Sequence, residues 1–418
     1  MIESYPILKK RYETLKTQNM RLDISRGKPG PDQLDLVNPM LEILTQKDYR
    51  SDSGIDCRNY GGIEGIPEMR RIFADILGLS ESEVIVGGNS SLNLMFDRIA
   101  DFCLHGVCGG IPWLRQGAVK FVCPTPGYDR HFNICEYFGI EMIPVSMTET
   151  GPDMDAAEAL IQNDPLVKGM WGVPVYSNPT GCVYNEDTVG RLARLKPKAP
   201  DFRLFWDNAY TVHNFAEDRP VIPNILDECA KNGNADMPIE FASFSKISFP
   251  GAGVSAIAAS GNNRKHILKQ LGVQTVGPDK INQLRHVRFF KNADGVYGHM
   301  KNIARIVKPK FDTVLSGLEK ELSGLCEWSK PKGGYFIHFR APDNCALRIA
   351  ELCGQAGLII TEAGAVHPYK RDPKDRDLRI APTYAQTGEL KKAMDIFCAA
   401  VKLSYVEKME SINHSTQN

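Results

Sequence analysis

Short apolar runs alternate with amphipathic stretches through the middle of the chain. Continuous apolar runs predict buried strands, whereas apolar positions at helical spacing predict helices. The predicted strands are Val84–Val86, Lys120–Cys123, Glu141–Val145, Lys168–Val175 and Arg203–Trp206. The predicted helices lie between them, at residues 91–105, 130–138, 156–162 and 186–195. Strands that alternate with helices predict a mainly parallel sheet that is covered by helices on both faces.

The pattern changes after about Ala256. The predicted elements there are a helix at 302–322, a strand at 333–339, a helix at 347–356, a strand at 378–381 and a helix from Glu389. They suggest a separate α+β unit, and the first residues of the chain, which have little regular pattern, are expected to complete it. We therefore predict an α/β protein with a large domain at 56–305 and a small domain formed by 1–55 and 306–418.

Composition excludes several classes of protein. The 418 residues are too many for one ordinary core, and 50 basic residues balance 50 acidic residues, which argues against a nucleic-acid partner. The 11 cysteines include no C-x-x-C pair, so no metal site is predicted, and reduced thiols in a cytoplasmic protein are expected. No apolar run approaches the ~20 residues that span a bilayer, and the charged N-terminal segment is unlike a signal peptide.

A lysine follows one of the apolar runs. The run Pro238–Phe244 predicts a strand, and it leads into Lys246 and a glycine-rich turn at Pro250–Gly253. Sheets of α/β proteins bind ligands at such strand ends. A lysine amine there can form an imine with an aldehyde cofactor, while the hydroxyls of Ser243 and Ser245 can bind a phosphate. Most lysines are solvated, so this motif needs support from others.

Three further motifs follow predicted strands, although each alone is an ordinary turn or cap. Pyridoxal phosphate is an aldehyde cofactor that contains a phosphate. Asp207 can keep its pyridine nitrogen protonated, and Tyr210 can reach the phenolic oxygen of its ring. Asn178 can donate to the same oxygen. Tyr128 can stack on a planar ring.

A glycine-rich helix start lies directly after the first predicted strand. Its sequence is Val86-Gly-Gly-Asn-Ser-Ser91, with Asn89 and Ser90 just before the predicted helix. Free backbone N–H groups at a helix start, together with small residues, bind phosphate groups. Such starts also occur without a ligand, so this motif gains weight only beside the others.

In their order along the chain, these motifs resemble the fold-type-I, class I aminotransferases, and most closely the Ic subgroup of aspartate aminotransferases. The likeness covers nearly the whole chain and also includes Leu22–Pro29, Tyr60–Arg70 and Leu378–Ile380. It implies pyridoxal phosphate as cofactor, a mainly parallel sheet of the seven-stranded type and a homodimer. The implied activity transfers the amino group of aspartate to 2-oxoglutarate by a ping-pong mechanism, which yields oxaloacetate and glutamate.

The resemblance also implies roles at the cofactor. Lys246 resembles the lysine that holds the cofactor as a Schiff base and transfers the proton. Asp207 resembles the partner of the pyridine nitrogen, Asn178 and Tyr210 the donors to the ring oxygen, and Tyr128 the stacking aromatic residue. The resemblance also places a tight turn that aims Asn178 at the cofactor, so we predict a cis bond between Asn178 and Pro179. Contacts to the phosphate are implied for Asn89, Ser90, Ser243, Ser245 and, from the neighbouring subunit, Tyr60.

At the substrate, Arg379 resembles the arginine that binds the α-carboxylate through two parallel hydrogen bonds. Gly27 resembles a substrate-contacting glycine, and Asn178 lies beside the same carboxylate. A dicarboxylic substrate needs a second cation, for which Arg26 is the first candidate and Lys28, Lys280 and Arg285 are others. The family usually has an arginine about eight residues after the lysine, but this chain has none. We therefore expect hydroxyls such as Ser248, together with the helix start, to neutralise the phosphate.

Other functions stay open on the sequence alone. The amino donor could instead be alanine or an aromatic amino acid, and the same fold also serves β-lyases, decarboxylases and racemases. Arg379 favours a reaction that keeps the α-carboxylate, either transamination or β-elimination. A non-enzymatic regulator that binds the cofactor would need a DNA-binding domain, and the balanced charge and the short segment before Leu22 argue against one.

Overall fold

The computed structural model describes residues 3–416, with side chains up to residue 411. The helices are α1 (Tyr5–Lys16), α2 (Pro31–Leu34), α3 (Pro67–Leu77), α4 (Ser91–His105), α5 (Asp129–Tyr137), α6 (Met154–Asn163), α7 (Glu186–Ala193), α8 (Ile225–Lys231), α9 (Gly261–Gln274), α10 (Lys280–Phe290), α11 (Ala293–Leu322), α12 (Ala346–Gln355) and α13 (Thr387–Thr416). The strands are β1 (Leu22–Asp23), β2 (Val84–Val86), β3 (Lys120–Thr125), β4 (Glu141–Thr148), β5 (Gly151–Pro152), β6 (Val167–Gly172), β7 (Arg203–Asp207), β8 (Pro238–Ser243), β9 (Ser255–Ala259), β10 (Glu327–Trp328), β11 (Ile337–Arg340), β12 (Leu358–Ile359) and β13 (Asp377–Ile380). None of the helices in this range has the length and apolar character needed to cross a membrane.

The largest sheet confirms the predicted α/β architecture. Its eight strands lie in the order β2-β9-β8-β7-β6-β3-β4-β5. Strands β4, β3, β6, β7 and β8 pair in parallel, whereas β9 pairs antiparallel with both β8 and β2. The two-residue strand β5 extends the predicted seven-stranded arrangement to eight. Strands β6, β7 and β8 are buried along their whole length, which explains why they appear in the sequence as continuous runs rather than alternating ones.

The parallel pairing brings several motifs to one edge of the sheet. Strand β3 leads to Tyr128, β7 ends at Asp207, and β8 ends just before Lys246. Because parallel strands have their carboxyl ends at the same edge, these side chains lie close together although they are far apart in sequence. The Asn178–Pro179 bond, in the segment after β6, is cis as predicted.

The two ends of the chain meet outside this sheet. Strands β10, β11 and β13 form an antiparallel sheet, and β1 pairs in parallel with β12. Gly357, just before β12, has a φ of 82°, and a Cβ at this position would overlap the carbonyl oxygen of Met20. Only glycine therefore allows the two ends to approach so closely. The division into two domains at the predicted boundaries stays a prediction.

A buried carboxyl group lies in the middle of the large sheet. Glu240 in β8 is 3% exposed, and its carboxylate accepts a hydrogen bond of 2.8 Å from the side-chain amide of Asn208. Burial raises the pKa of Glu240 to about 7, and the charge of Glu83 acts in the same direction. The folded state therefore holds a proton that the unfolded chain releases near its ordinary pKa of about 4.3.

The raised pKa of Glu240 makes stability depend on pH. A raised carboxyl pKa lowers stability as pH rises from the unfolded to the folded pKa, so the loss should develop between about pH 4.5 and 7 and persist above it. Glutamine has no proton to lose, so we expect Glu240→Gln to abolish this fall, which amounts to about 1–3 kcal/mol in the free energy of unfolding. The measurement is the melting temperature at pH 5 and pH 8.5, with the exposed Glu186→Gln as control. An unchanged pH dependence in Glu240→Gln would contradict this prediction.

Candidate active site

A cavity of about 240 Å³ lies at the carboxyl edge of the large sheet. Helix α4, the turn after β6 and the segment after β8 complete its walls. The predicted residues that line it are Ser90, Tyr128, Asn178, Asp207, Tyr210, Ser243, Ser245 and Lys246. A wider surface groove of about 1010 Å³ between α4 and α9 contains none of these residues. The sequence motifs therefore meet in the smaller cavity.

Lys246 faces an aromatic wall. Its Nζ lies 5.1 Å from the ring centroid of Tyr210 and 6.0 Å from that of Tyr335. The Tyr335 hydroxyl donates to the carbonyl of Lys246 at 3.3 Å and to the side-chain oxygen of Gln33 at 2.9 Å. Tyr335 was not predicted as a site residue, although it follows two glycines at the start of a predicted strand. These contacts hold the backbone of Lys246 between distant parts of the chain.

Asp207 has one occupied and one free carboxylate oxygen. Its Oδ2 lies 3.0 Å from Nε2 of His131, whose ring stacks on Trp171 at a centroid distance of 4.2 Å. Its Oδ1 is buried and has no hydrogen-bond partner among the described residues. His131 follows Tyr128 by one helical turn and was not predicted from the sequence. The free oxygen can accept a hydrogen bond from a ligand in the cavity.

Two tyrosines stay protonated in the cavity. Burial raises the pKa of Tyr128 to about 12. Burial, and then the charge of Asp207, raise the pKa of Tyr210 well above its ordinary value. Both phenols are therefore hydrogen-bond donors at neutral pH, which is what a contact to an anionic ring oxygen needs.

Small polar groups converge at the start of α4. Ser90 precedes this helix, but its side chain caps no backbone N–H group. The hydroxyls of Ser243 and Ser245 lie 2.6 Å apart, and the Ser245 hydroxyl donates to the backbone carbonyl of Asn89 at 2.9 Å. Asn89 therefore belongs to this polar cluster through its backbone carbonyl. Backbone donors, serine hydroxyls and the positive end of the helix dipole suit a phosphate.

The expected role of Ser248 at the phosphate is wrong. Its side chain is buried, lies 2.8 Å from Nε2 of His286 and donates to the carbonyl of Phe244 at 3.1 Å. Among the described residues that line the cavity, Lys246 is the only cation. The helix start and the serines at 90, 243 and 245 are therefore the groups that remain for this role.

Arg379 lies in β13 and reaches the same cavity through Asn178. Its Nη1 donates to Oδ1 of Asp129 at 2.9 Å and to Oδ1 of Asn178 at 3.3 Å. Its guanidinium group packs over the ring of Phe336 at 4.8 Å. Gly27 lies against the same Phe336 ring, because a Cβ on residue 27 would overlap its atoms. The ion pair between Arg379 and Asp129 was not predicted from the sequence.

The residues present fit pyridoxal phosphate. The amide nitrogen of Asn178 is buried and has no partner in the described part of the chain, because its oxygen is the atom that faces Arg379. An unpaired donor on Asn178 and an unpaired acceptor on Asp207 match the ring oxygen and the protonated ring nitrogen of this cofactor. The serines and the helix start match its phosphate, and the Lys246 amine matches its aldehyde.

Other predicted residues are not among those that line the cavity of the single chain. Tyr60 is 84% exposed, and Arg26 is also exposed. Lys28 packs on the ring of Tyr384 at 3.8 Å, and Lys280 donates to the carbonyl of Gly61 at 2.7 Å. These cations are therefore not placed around Lys246 by the single chain.

Comparisons with known proteins agree with this geometry. Residues 3–413 match the family description "Aspartate amino-transferase". The chain is 44% identical to an aspartate aminotransferase of Corynebacterium glutamicum over 96% of this chain and 93% of that protein. It superposes with a TM-score of 0.95 on the crystal structure of an aspartate transaminase from the same species, at 43% identity, with 97% of this chain and 96% of that chain covered. An alpha-aminoadipate aminotransferase of Thermus thermophilus, complexed with N-(5'-phosphopyridoxyl)-L-leucine, has the same fold, with a TM-score of 0.76, 18% identity and 96% and 98% of the two chains covered.

Proposed function

Because the chain belongs to the aspartate aminotransferase family and is a pyridoxal-phosphate-dependent aminotransferase, we propose that aspartate and 2-oxoglutarate are its substrates. The products are oxaloacetate and glutamate. The observation that carries the cofactor chemistry is the cavity in which the Lys246 amine, the unpaired oxygen of Asp207 and the unpaired amide of Asn178 come together. The identity to an aspartate aminotransferase supports the choice of a dicarboxylic donor.

When bound, pyridoxal phosphate supplies an aldehyde carbon for the amino group and a conjugated ring that withdraws electrons from the substrate α-carbon. Asp207 holds a proton on the ring nitrogen through Oδ1, while His131 fixes its other oxygen. Asn178 and Tyr210 donate hydrogen bonds to the ring oxygen. Together these three side chains would hold the ring, and Tyr128, which lines the same cavity, would stack on it.

The Lys246 amine carries out the proton transfer. This amine would hold the aldehyde group of the cofactor, and the same amine lies in the cavity as the base that would accept the proton from the α-carbon of the substrate. Arg379 holds the α-carboxylate and thereby orients the α-carbon toward this amine. Since the carboxylate stays bound throughout, the arrangement favours transamination over loss of carbon dioxide.

The donor specificity has a direct test. In steady-state assays with 2-oxoglutarate, we expect kcat/KM for aspartate and glutamate to exceed that for alanine and aromatic donors. We propose that Arg26 binds the distal carboxylate, so Arg26→Ala should lower kcat/KM for aspartate by about tenfold or more and spare alanine. The exposed Arg21→Ala is the matched control. A wild-type preference for alanine would remove the dicarboxylate proposal but not the cofactor assignment.

We also propose that the protein is a homodimer in which Tyr60 reaches the partner's phosphate site. Tyr60 lies in a loop that joins Val276 through a hydrogen bond from the Gly61 amide to the Val276 carbonyl, at 3.1 Å. Tyr60, Val273 and Val276 are 84%, 90% and 62% exposed, an unusual concentration of large apolar side chains in water. A second subunit would cover them.

The homodimer can be tested by subunit complementation. Tyr60→Ala and Lys246→Ala should each have little activity alone, but a mixed dimer should regain one complete site, which combines the intact Lys246 of one subunit with the intact Tyr60 of the other. Activity after the two variants are mixed and refolded is the measurement, with sedimentation velocity for the oligomeric state. The exposed Tyr137→Ala should be active by itself. Absence of recovery in a verified mixed dimer would place Tyr60 outside the partner's site.

We further propose a cytoplasmic location. All 11 cysteines are unpaired thiols, and most of them are buried. This usage is typical of proteins kept in a reducing compartment.

A further inference from the structure

We infer that Asp129 is a built-in carboxylate that competes with the substrate's α-carboxylate for Arg379. The protein thereby sets a lower affinity for its amino acids and oxo acids than Arg379 alone would give. This inference rests on the proposed role of Arg379 and concerns how that residue is regulated.

The contact itself has the form of a substrate contact. Asp129 Oδ1 lies 2.9 Å from Nη1 of Arg379, the distance of a charge-assisted hydrogen bond. Nε of the same guanidinium lies 3.4 Å from the Thr361 hydroxyl, and Nη1 also contacts Asn178. Asp129 thus occupies part of the donor set that a substrate carboxylate needs.

The two partners differ in exposure. The Arg379 side chain is 6% exposed, whereas that of Asp129 is 27% exposed. A buried guanidinium needs a counter-charge, because an unpaired charge away from water is costly. Asp129 supplies this charge when no substrate is bound. Its own carboxylate has access to water, so it can leave Arg379 at a smaller cost than a fully buried group would incur.

Electrostatics makes the two carboxylates alternatives. A substrate carboxylate that joined Asp129 on Arg379 would bring two negative charges onto one guanidinium group. The substrate must therefore weaken or displace the Asp129 contact as it binds. Amino acids and oxo acids share the α-carboxylate, so both half-reactions are subject to the same competition.

A purely positioning role makes the opposite prediction. If Asp129 only oriented Arg379, its removal would misplace the guanidinium and weaken every carboxylate ligand. If it competes, its removal strengthens them. The sign of the change in affinity therefore separates the two roles.

The experiment is a calorimetric titration of the holoenzyme with succinate, a dicarboxylate that has no amino group to react. Asp129→Ala should bind succinate about 3- to 30-fold more tightly than the wild type. The corresponding binding free energy lies between that of an exposed ion pair and that of a charge-assisted hydrogen bond. The KM values for aspartate and 2-oxoglutarate should fall by a similar factor, and kcat should change less. Asp129→Asn, which removes the charge but keeps an oxygen, should act in the same direction. Glu136→Gln, in the same helix, is the control.

Weaker or unchanged succinate binding in both Asp129 variants would overturn the inference. Arg379→Lys separates this failure from failure of the proposed function. If Arg379→Lys alone leaves succinate affinity unchanged, Arg379 is not the carboxylate site. If it weakens succinate binding, the gain from Asp129→Ala should shrink in the double variant, since the group for which the two carboxylates compete has been altered.

Discussion

Asp207→Ala should bind pyridoxal phosphate but lower kcat by about a thousandfold or more, comparable with the loss of a central electrostatic group in other active sites. Without this carboxylate the ring nitrogen loses its proton and withdraws electrons poorly. Asp207→Asn should have a similar defect, because it keeps the shape but not the charge. Single-turnover absorbance changes with aspartate would measure the chemical step directly.

Two controls make the Asp207 result specific. Borohydride should fix the cofactor on Lys246 in both wild-type and Asp207→Ala enzymes, as peptide mapping would show, which verifies binding and fold. Glu240→Gln changes another buried carboxyl group, in the neighbouring strand, and should retain activity. Near-normal turnover in a folded, cofactor-loaded Asp207→Ala enzyme would remove Asp207 from the mechanism.

Arg379→Lys should lower kcat/KM by roughly 30- to several-thousand-fold, equivalent to about 2–5 kcal/mol for a charge pair lost in a desolvated site. Lysine keeps the positive charge but has no planar pair of parallel donors, so it cannot reproduce the contact to a carboxylate. The loss should be similar for aspartate, glutamate and alanine, because all three contain the α-carboxylate. Steady-state kinetics with each donor would measure it.

Arg340→Lys, a change of the same kind in the neighbouring strand β11, is the control and should have little effect. A loss confined to aspartate and glutamate would reassign Arg379 to the distal carboxylate. The cofactor chemistry would be unaffected by such a result, since no proposed contact of the cofactor depends on Arg379 alone.

The parallel sheet was predictable because its strands are buried on both faces. Burial leaves continuous apolar runs, as in Arg203–Asp207, and these are visible without any knowledge of tertiary structure. Strand β9 was missed because its sequence, Ser-Ala-Ile-Ala-Ala, consists mostly of small residues without a clear period. Helix α1 was missed although Ser4 and a proline mark its start, because its apolar positions are few.

The site was predictable where its residues belong to motifs at strand ends. Lys246, Asp207 and Asn178 each follow a strand, and the parallel topology brings them together. Their partners were not predictable in the same way. His131 reaches Asp207 across 76 positions, and Asp129 reaches Arg379 across 250, so these pairs arise from packing between distant elements.

Asn178 is one amide shared between two ligands. Its oxygen accepts from Arg379, which leaves its buried nitrogen without a partner in the described part of the chain and available to the cofactor. If the substrate carboxylate on Arg379 changes the orientation of this amide, the affinity for the cofactor changes as well. By thermodynamic reciprocity, the cofactor then changes the affinity for the carboxylate by the same factor. A carboxylate that tightens the Asn178–Arg379 contact should therefore raise the affinity of the protein for the cofactor. The protein would then retain its cofactor best when its substrates are abundant.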